Sequence, residues 1–238
     1  MTEAVRLSKR LAALLSCSRS EAERYIEGGW VRIDGRVVEE PQFRVLHEKV
    51  ELDPDARLTE LPPVTLLLHK PADHPAPLTL LTAASHWSAD PDGTRVLKRH
   101  FHQLKLTVPL EPAASGLLVY TQDGRVARKL GEEEGLIEVE MTVDVQGEVS
   151  REQLALLMRD TDSRGQPLPP LKASLTGSGM GRSKLRLAIK GAHPGLVAYV
   201  CERAGLQILA MKRIRIGRAS MGPLPPGQWR YLQAHERF

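Results

Sequence analysis

Long hydrophobic runs are absent from this chain of 238 residues. It has no apolar stretch of roughly 18 residues or more, the length that spans a bilayer. The segment Met1-Thr2-Glu3-Ala4-Val5-Arg6 has no apolar region of the kind that signal peptides carry. We therefore expect a cytoplasmic protein without membrane contact. With 42% hydrophobic residues, the chain is long enough for one sizeable domain and a small additional module.

Cysteine is also scarce. Cys17 and Cys201 lack the C-x-x-C spacing and a histidine at ligand spacing, so we expect two buried free thiols rather than a disulfide or a zinc site. The histidines between His69 and His102 show no ligand frame with a third acidic or cysteine partner. The glycine-rich segment 177–181 does not continue into the Lys-Ser/Thr of a phosphate-binding loop, and it predicts a hairpin connection. No metal site is expected.

Charge is unevenly distributed along the chain. Residues 182–238 contain 11 Lys and Arg against 2 Asp and Glu, whereas residues 53–181 contain 13 against 18. Clustered basic side chains favour a polyanionic partner, because they displace condensed counterions from phosphates. The alternative is a solvated basic surface, and charge alone does not choose between the two.

The first fifty residues predict two helices and a hairpin. Leu7, Leu11 and Leu14 repeat at helical spacing. The segment Ser18-Arg19-Ser20-Glu21 has the form of a capping box for a second helix at about 20–27, which Gly28-Gly29 would end. Two short strands then flank Asp34-Gly35, a dipeptide that favours a two-residue turn.

This order of elements resembles the S4 RNA-binding domain over residues 5–53. In that family the two helices present basic side chains to structured RNA, which implies RNA contacts for five residues of this chain: Arg6, Lys9, Arg10, Arg19 and Arg24. Any one of them could instead form a surface salt bridge with a neighbouring glutamate. We assign residues 1–53 to this module.

A proline-containing linker at 54–63 precedes a second domain at 64–238. A buried strand is predicted at 64–69, and further strands and helices alternate without a regular βαβ repeat. This pattern predicts an α+β fold, in which a mixed, mostly antiparallel sheet is flanked by helices.

The stretch from Val108 to Gly124 resembles the active-site loop of the S4-domain-containing bacterial rRNA pseudouridine synthases. The framework Ser115-Gly116-Leu117 and Asp123-Gly124 has that family's spacing. Lys70-Pro71 and the segment 208–230 are similar to the same family, so the resemblance covers nearly the whole chain. It implies a pseudouridine synthase-like second domain that acts on RNA without a metal or cofactor. It also makes Lys70, Lys212, Arg213 and Arg215 candidates for RNA contact, although some of these could pair with the acidic middle of the chain.

Four positions depart from the family's pattern. Glu111 replaces the catalytic aspartate, and Pro109 replaces the arginine before it. Met141 stands where a tyrosine is expected to pack on the target base, and the segment 193–198 has no counterpart of the arginine that orients the carboxylate. The extra methylene of glutamate moves the carboxylate by about 1 Å, and such a displacement can lower a rate by on the order of 100-fold.

The preferred hypothesis is a monomeric protein that binds structured, ribosomal RNA and has weak or no catalytic activity. Glu111 remains the candidate catalytic residue of the alternative hypothesis, an active RNA pseudouridine synthase that isomerises uridine. A third class, a protein-interaction module without RNA, is disfavoured by the basic C-terminal quarter and by the S4-like pattern.

Overall fold

The computed structural model describes residues 4–132 and 134–238. They form two compact units. The first comprises the described residues up to Pro63 together with Arg95–Gln103, and the second comprises Val64–Thr94 and Leu104–Phe238. The boundaries drawn from the sequence placed Arg95–Gln103 in the second domain. In the structure this segment packs in the first unit, where the Lys98 N–H donates to Glu39 Oε2 at 2.6 Å and the Arg95 guanidinium lies 5.5 Å from the ring centroid of Trp30.

The first unit contains two helices and five short strands. Its elements are β1 (Val5–Arg6), α1 (Leu7–Leu15), α2 (Arg19–Glu27), β2 (Val31–Ile33), β3 (Arg36–Val37), β4 (Arg44–Val45) and β5 (Val50–Leu52). The predicted capping box starts α2: the Ser18 side chain accepts from the Glu21 N–H, and the Glu21 carboxylate accepts from the Ser18 N–H. The predicted hairpin pairs β2 with β3, and Asp34 and Gly35 between them both have positive φ.

A small apolar core holds the first unit together. Its members come from both helices and the strands: Leu7, Leu11, Ala22, Ile26, Val31, Ile33 and Val45. Leu14, the third leucine of the predicted helical stripe, is 50% exposed, so only the first two members of the stripe are buried.

The second unit is built on one large sheet. Its elements are β6 (Thr65–Lys70), β7 (Lys105–Thr107), β8 (Ser115–Thr121), α3 (Gly124–Glu132), β9 (Glu138–Gln146), α4 (Arg151–Leu157), β10 (Leu171–Gly179), β11 (Arg182–Lys190), α5 (Leu196–Arg203), β12 (Ile208–Ile216), β13 (Ala219–Ser220) and β14 (Trp229–Tyr231). The strand order is β10-β11-β9-β12-β8-β6-β14, with β13 beside β12 and β7 beside β8. β8 and β12 run parallel, and the other pairings among the described strands of this sheet are antiparallel. The predicted α+β class and the mostly antiparallel sheet are confirmed.

The two faces of this sheet differ in character. Along β11, Leu185, Leu187 and Ile189 are buried in the core that α5 also lines, whereas the residues between them point to the other face. On that other face, β9 carries an acidic row formed by Glu138, Glu140 and Asp144. These carboxylates pair with basic side chains of the neighbouring strands β11 and β12. Lys184 lies 3.7 Å from Asp144, and Glu140 is paired with both Arg186 and Arg215. Part of the basic C-terminal quarter is therefore paired with the acidic middle, which for Arg215 was the alternative to RNA contact.

Glu140 is the centre of the largest of these clusters. Hydrogen bonds from Arg215 and Arg186 hold the pKa of its carboxyl below the usual range. Arg215 also pairs with Glu138 at 2.5 Å.

Cys201 is buried and free, and burial raises the pKa of its thiol to about 11. Cys17 is also free but only half-buried, so the expectation of two buried thiols is right for one of them. In the ranges that the structure describes, no three metal-ligating side chains come together. No described helix has the length and apolar character needed to cross a bilayer.

Candidate functional site

The candidate site lies where the pairing partner of β8 changes. At its start, β8 pairs with β12 through Ser115 and Gly116, and from Val119 onwards it pairs with β7 instead. The loop that carries Glu111 connects β7 to β8, so it emerges at the point where β7 and β12 separate. Backbone groups at such a split lose their strand partners and need others.

Arg213 of β12 supplies those partners. Its guanidinium donates to the carbonyls of Leu117 at 2.7 Å, Val108 at 2.7 Å and Pro109 at 2.9 Å, and the residue is only 1% exposed. Val108 has a φ of +51°, a conformation that is strained for a β-branched residue. Strain of this kind persists only where the surroundings enforce it. We infer that Arg213 holds the start of the loop in its strained conformation.

Lys70 supports the other end of the loop. Its ammonium group donates to the carbonyls of Pro112 and Ala114, both at 2.7 Å, and to that of Pro71 at 3.0 Å. The residue is 2% exposed, and burial lowers the pKa of its side chain. Lys70 thus gives two of its three donors to the backbone of the loop.

Gly116 permits the close approach of β8 and β12 beside this loop. Its φ is +113°, and a Cβ atom added to it would lie 2.2 Å from the backbone oxygen of Arg213. A side chain at this position is therefore excluded both by the backbone conformation and by the neighbouring strand.

Glu111 is bound to the start of α5. Its Oε1 accepts a hydrogen bond of 2.8 Å from the N–H of Gly195, the residue that precedes α5. A carboxylate at a helix N-terminus is stabilised by unpaired N–H groups and by the helix dipole. In the described chain Glu111 forms no ion pair. The positively polarised N-terminus of α5 therefore interacts with the carboxylate in place of a basic side chain.

The pocket beside Glu111 is small and mostly apolar. Six apolar residues are among those that line it: Leu110, Val139, Met141, Ile189, Pro194 and Val197. Its cavity volume is about 20 Å³, which is room for about one water molecule. A pyrimidine ring is several times larger than a water molecule. The side chains of Leu196 and Val197, at positions where the sequence lacks the expected arginine, are buried in the core.

Comparisons with known proteins agree with this architecture. The family model for the S4 domain matches residues 5–50. An uncharacterized RNA pseudouridine synthase of Aquifex aeolicus (strain VF5) is 28% identical over 236 residues, which cover 98% of this chain and 94% of the relative. The ribosomal small subunit pseudouridine synthase A of Pseudomonas aeruginosa is 28% identical, with 98% of each chain covered. The crystal structure of a pseudouridylate synthase has the same fold, with a TM-score of 0.59 at 18% identity over 96% of both chains.

Over nearly its whole length the chain is similar to proteins named RNA pseudouridine synthases, and residues 5–50 match the S4 domain. These matches confirm the resemblance of the N-terminal module to the S4 domain and of the chain as a whole to RNA pseudouridine synthases.

The basic residues predicted from the family's S4 module occupy different environments. In the first unit, Arg6, Lys9 and Arg10 are exposed. Arg19 is exposed and pairs with Glu23 at 2.9 Å, and Arg24 is half-buried, with a buried Nε atom that has no hydrogen-bond partner. The RNA contacts of these residues stay predictions.

The four basic candidates in the synthase-like domain are less accessible. Lys212 and Arg215 are half-buried, and Arg215 is paired with Glu138 and Glu140. Lys70 and Arg213 are buried, and their donors serve the loop backbone. Their predicted contact with RNA is therefore without structural support, because a donor that a buried carbonyl uses is not available to a phosphate.

Two features of the site were not predicted from the sequence. One is the bond between Glu111 and Gly195, residues that are 84 positions apart. The one local signal is Gly195 itself, because glycine is among the residues favoured at the start of a helix. The other is the internal role of Arg213, which depends on the separation of β7 from β12 and has no local signature.

Proposed function

We propose that this protein binds structured ribosomal RNA as a cytoplasmic monomer and isomerises uridine weakly or not at all. The observation that carries the proposal is the pocket beside Glu111, whose volume of about 20 Å³ does not admit a base. In a synthase of this family, the target nucleotide must leave its stack and bring its base to the catalytic carboxylate, at a cost of a few kcal/mol. A pocket of this size offers no contacts that offset that cost.

The environment of Glu111 supports the same proposal. Its carboxylate is held by the Gly195 N–H and has no arginine partner among the described residues. It therefore has a structural function that explains a retained acidic side chain without retained catalysis.

RNA binding is supported by the similarity to RNA pseudouridine synthases and by the exposed basic side chains of the first unit. We propose that Arg6, Lys9, Arg10 and Arg19 contact RNA, since all four are exposed. Arg24, Lys212 and Arg215 are half-buried and stand as secondary candidates, and we leave Lys70 and Arg213 out of the proposed surface because they are buried.

The alternative function is an active RNA pseudouridine synthase. It is favoured by one observation: Glu111 lines the pocket at the position of the family's catalytic aspartate. Opening of the segment 191–197 would be needed to admit a base.

Tritium release from ribosomal RNA labelled at uridine C5 separates the two functions. The protein is first shown to bind the same RNA, and Lys9→Ala/Arg10→Ala is expected to weaken that binding. We expect no release from the native protein, from Glu111→Ala or from Glu111→Asp. Glu111→Asp restores the family residue but leaves the pocket small. Release by the native protein that Glu111→Ala abolishes would establish the alternative, and failure to bind RNA would contradict both functions.

A further inference from the structure

A second, much larger cavity lies on the other side of the loop. It is an open groove between β7 and α3 with a volume of about 520 Å³. This is within the usual range for sites that bind small molecules, roughly 300–1,000 Å³. Pro109 lines both this groove and the pocket beside Glu111. The two cavities are thus separated by the strained segment that Arg213 holds.

The groove combines an apolar floor with a basic rim. Leu106, Pro109 and Leu130 contribute apolar surface, and Leu106 is 47% exposed in spite of its hydrophobic side chain. Lys105 and Arg128 line the groove and are exposed. Within residues 4–132 and 134–238, neither of these two side chains forms an ion pair, whereas Lys184, Arg186 and Arg215 on the large sheet are paired with acidic side chains of β9.

This combination fits a nucleotide of a single RNA strand. The flat faces of a base can pack on the apolar side chains of the floor, and proteins that bind single strands place lysine and arginine along the phosphates. The apolar ring of Pro109 offers a surface for base packing at the position where the resemblance predicts an arginine. Glu132 is the one acidic residue among the described residues that line the groove, against the two basic residues Lys105 and Arg128.

We propose that the groove lined by Lys105, Leu106, Pro109, Arg128 and Leu130 binds a nucleotide of single-stranded RNA. The inference rests on the proposed function, and it adds that the synthase-like unit holds an unpaired nucleotide outside the pocket of Glu111. The strand is recognised by its flat bases and its phosphates, and no chemical step takes place in the groove.

The test compares two double variants of the full chain. Lys105→Ala/Arg128→Ala removes the basic rim, and Arg164→Ala/Lys172→Ala is the matched control. The control removes the same charge from exposed residues outside the groove. All four side chains are exposed and form no ion pair among the described residues, so both variants are expected to fold. The probe is a fluorescein-labelled oligouridylate of about ten nucleotides, within the site sizes known for single-strand binding. Its binding is followed by fluorescence anisotropy over a range of salt concentrations.

We expect the rim variant to bind the probe roughly tenfold or more weakly at low salt. The slope of log Kobs against log salt concentration should become shallower by about 1.4, since each lost contact with a single strand contributes about 0.7. The control variant should stay close to the native protein. Leu106→Ser should weaken binding without a change in slope, because it removes apolar contact and no charge.

Equal affinities and slopes for the rim variant and the control would overturn the proposal. A structured rRNA fragment, measured in parallel, separates this failure from failure of the proposed function. If the native protein binds that fragment and the Lys9→Ala/Arg10→Ala variant does not, while the rim variant behaves like the control on the oligouridylate, the proposed function stands and the groove proposal falls. If the native protein binds neither RNA, both fall.

Discussion

Glu111 is expected to stabilise the fold, and the size of this effect follows from its contact with α5. In Glu111→Ala, the Gly195 N–H loses the acceptor that it has at 2.8 Å. Helix caps contribute about 0.5–2 kcal/mol, and an anion near a helix N-terminus contributes about 0.3–1 kcal/mol. Because Glu111 is half-buried and accepts a single bond from this helix end, we expect the free energy of unfolding of the second unit to fall by about 1 kcal/mol. For a unit of this size, the corresponding decrease in Tm is about 2–4 °C.

Two further substitutions distinguish the effect of the negative charge of Glu111 from the effect of its side-chain length. Glu111→Gln keeps an acceptor oxygen and loses the charge, so we expect roughly half of the loss seen with alanine. Glu111→Asp keeps the charge, but its carboxylate is about 1 Å too short for Gly195, so its effect should approach that of alanine.

Thermal unfolding followed by circular dichroism measures these differences, and hydrogen exchange of the Gly195 amide reports on the bond itself. Glu148→Ala is a suitable control, because Glu148 is exposed and its removal changes the net charge equally. We expect faster exchange at Gly195 in Glu111→Ala and not in Glu148→Ala. If the two variants have the same Tm and the same exchange rate at Gly195, the structural role assigned to Glu111 is wrong.

Three further predictions concern the framework. Gly116→Ala should lower the free energy of unfolding by more than about 3 kcal/mol, because its Cβ would lie 2.2 Å from the Arg213 oxygen; a native-like urea midpoint would contradict this. Burial lowers the pKa of His100 to about 4, against 6.5 in the unfolded chain. The contribution of the neutral His100 side chain to the free energy of unfolding is thus fully present above pH 6.5. It should fall by about 3 kcal/mol towards pH 4, at roughly 1.4 kcal/mol per pKa unit. Urea titrations of His100→Asn should lack this dependence on pH. Because bonds from Arg215 lower the pKa of Glu140, Glu140→Gln should be destabilising at neutral pH, and its difference from the native protein should shrink as the pH falls below about 4.5.

Local patterns in the sequence were sufficient for most elements of the fold. The capping box at Ser18 and the Asp34-Gly35 turn each depend on neighbours within a few residues, and the structure confirms both. The short strands β7 and β14 were not predicted. Each has three residues, too few for a periodic signal, and each is a strand only because a longer strand pairs with it.

The roles of charged residues were harder to predict, because they depend on distant partners. Arg213 and Arg215 are separated by one position in β12, and both were candidates for RNA contact. One is buried against the carbonyls of the loop, and the other pairs with the acidic row of β9. Residues two positions apart in a regular strand share a face, but the register of β12 against β9 shifts between Arg213 and Arg215, and this irregularity gives the two side chains different surroundings.

The sequence by itself indicated the similarity to RNA pseudouridine synthases, the two-part organisation and the position of the altered loop, because these depend on the order and spacing of residues. Only the tertiary structure decided the surroundings of the altered loop. It joins Glu111 to Gly195 across 84 residues, reduces the adjacent pocket to the volume of about one water molecule and leaves an open groove on the other side of Pro109. Contacts and cavities of this kind depend on which distant segments the sheet brings together, and residue spacing carries no direct record of that.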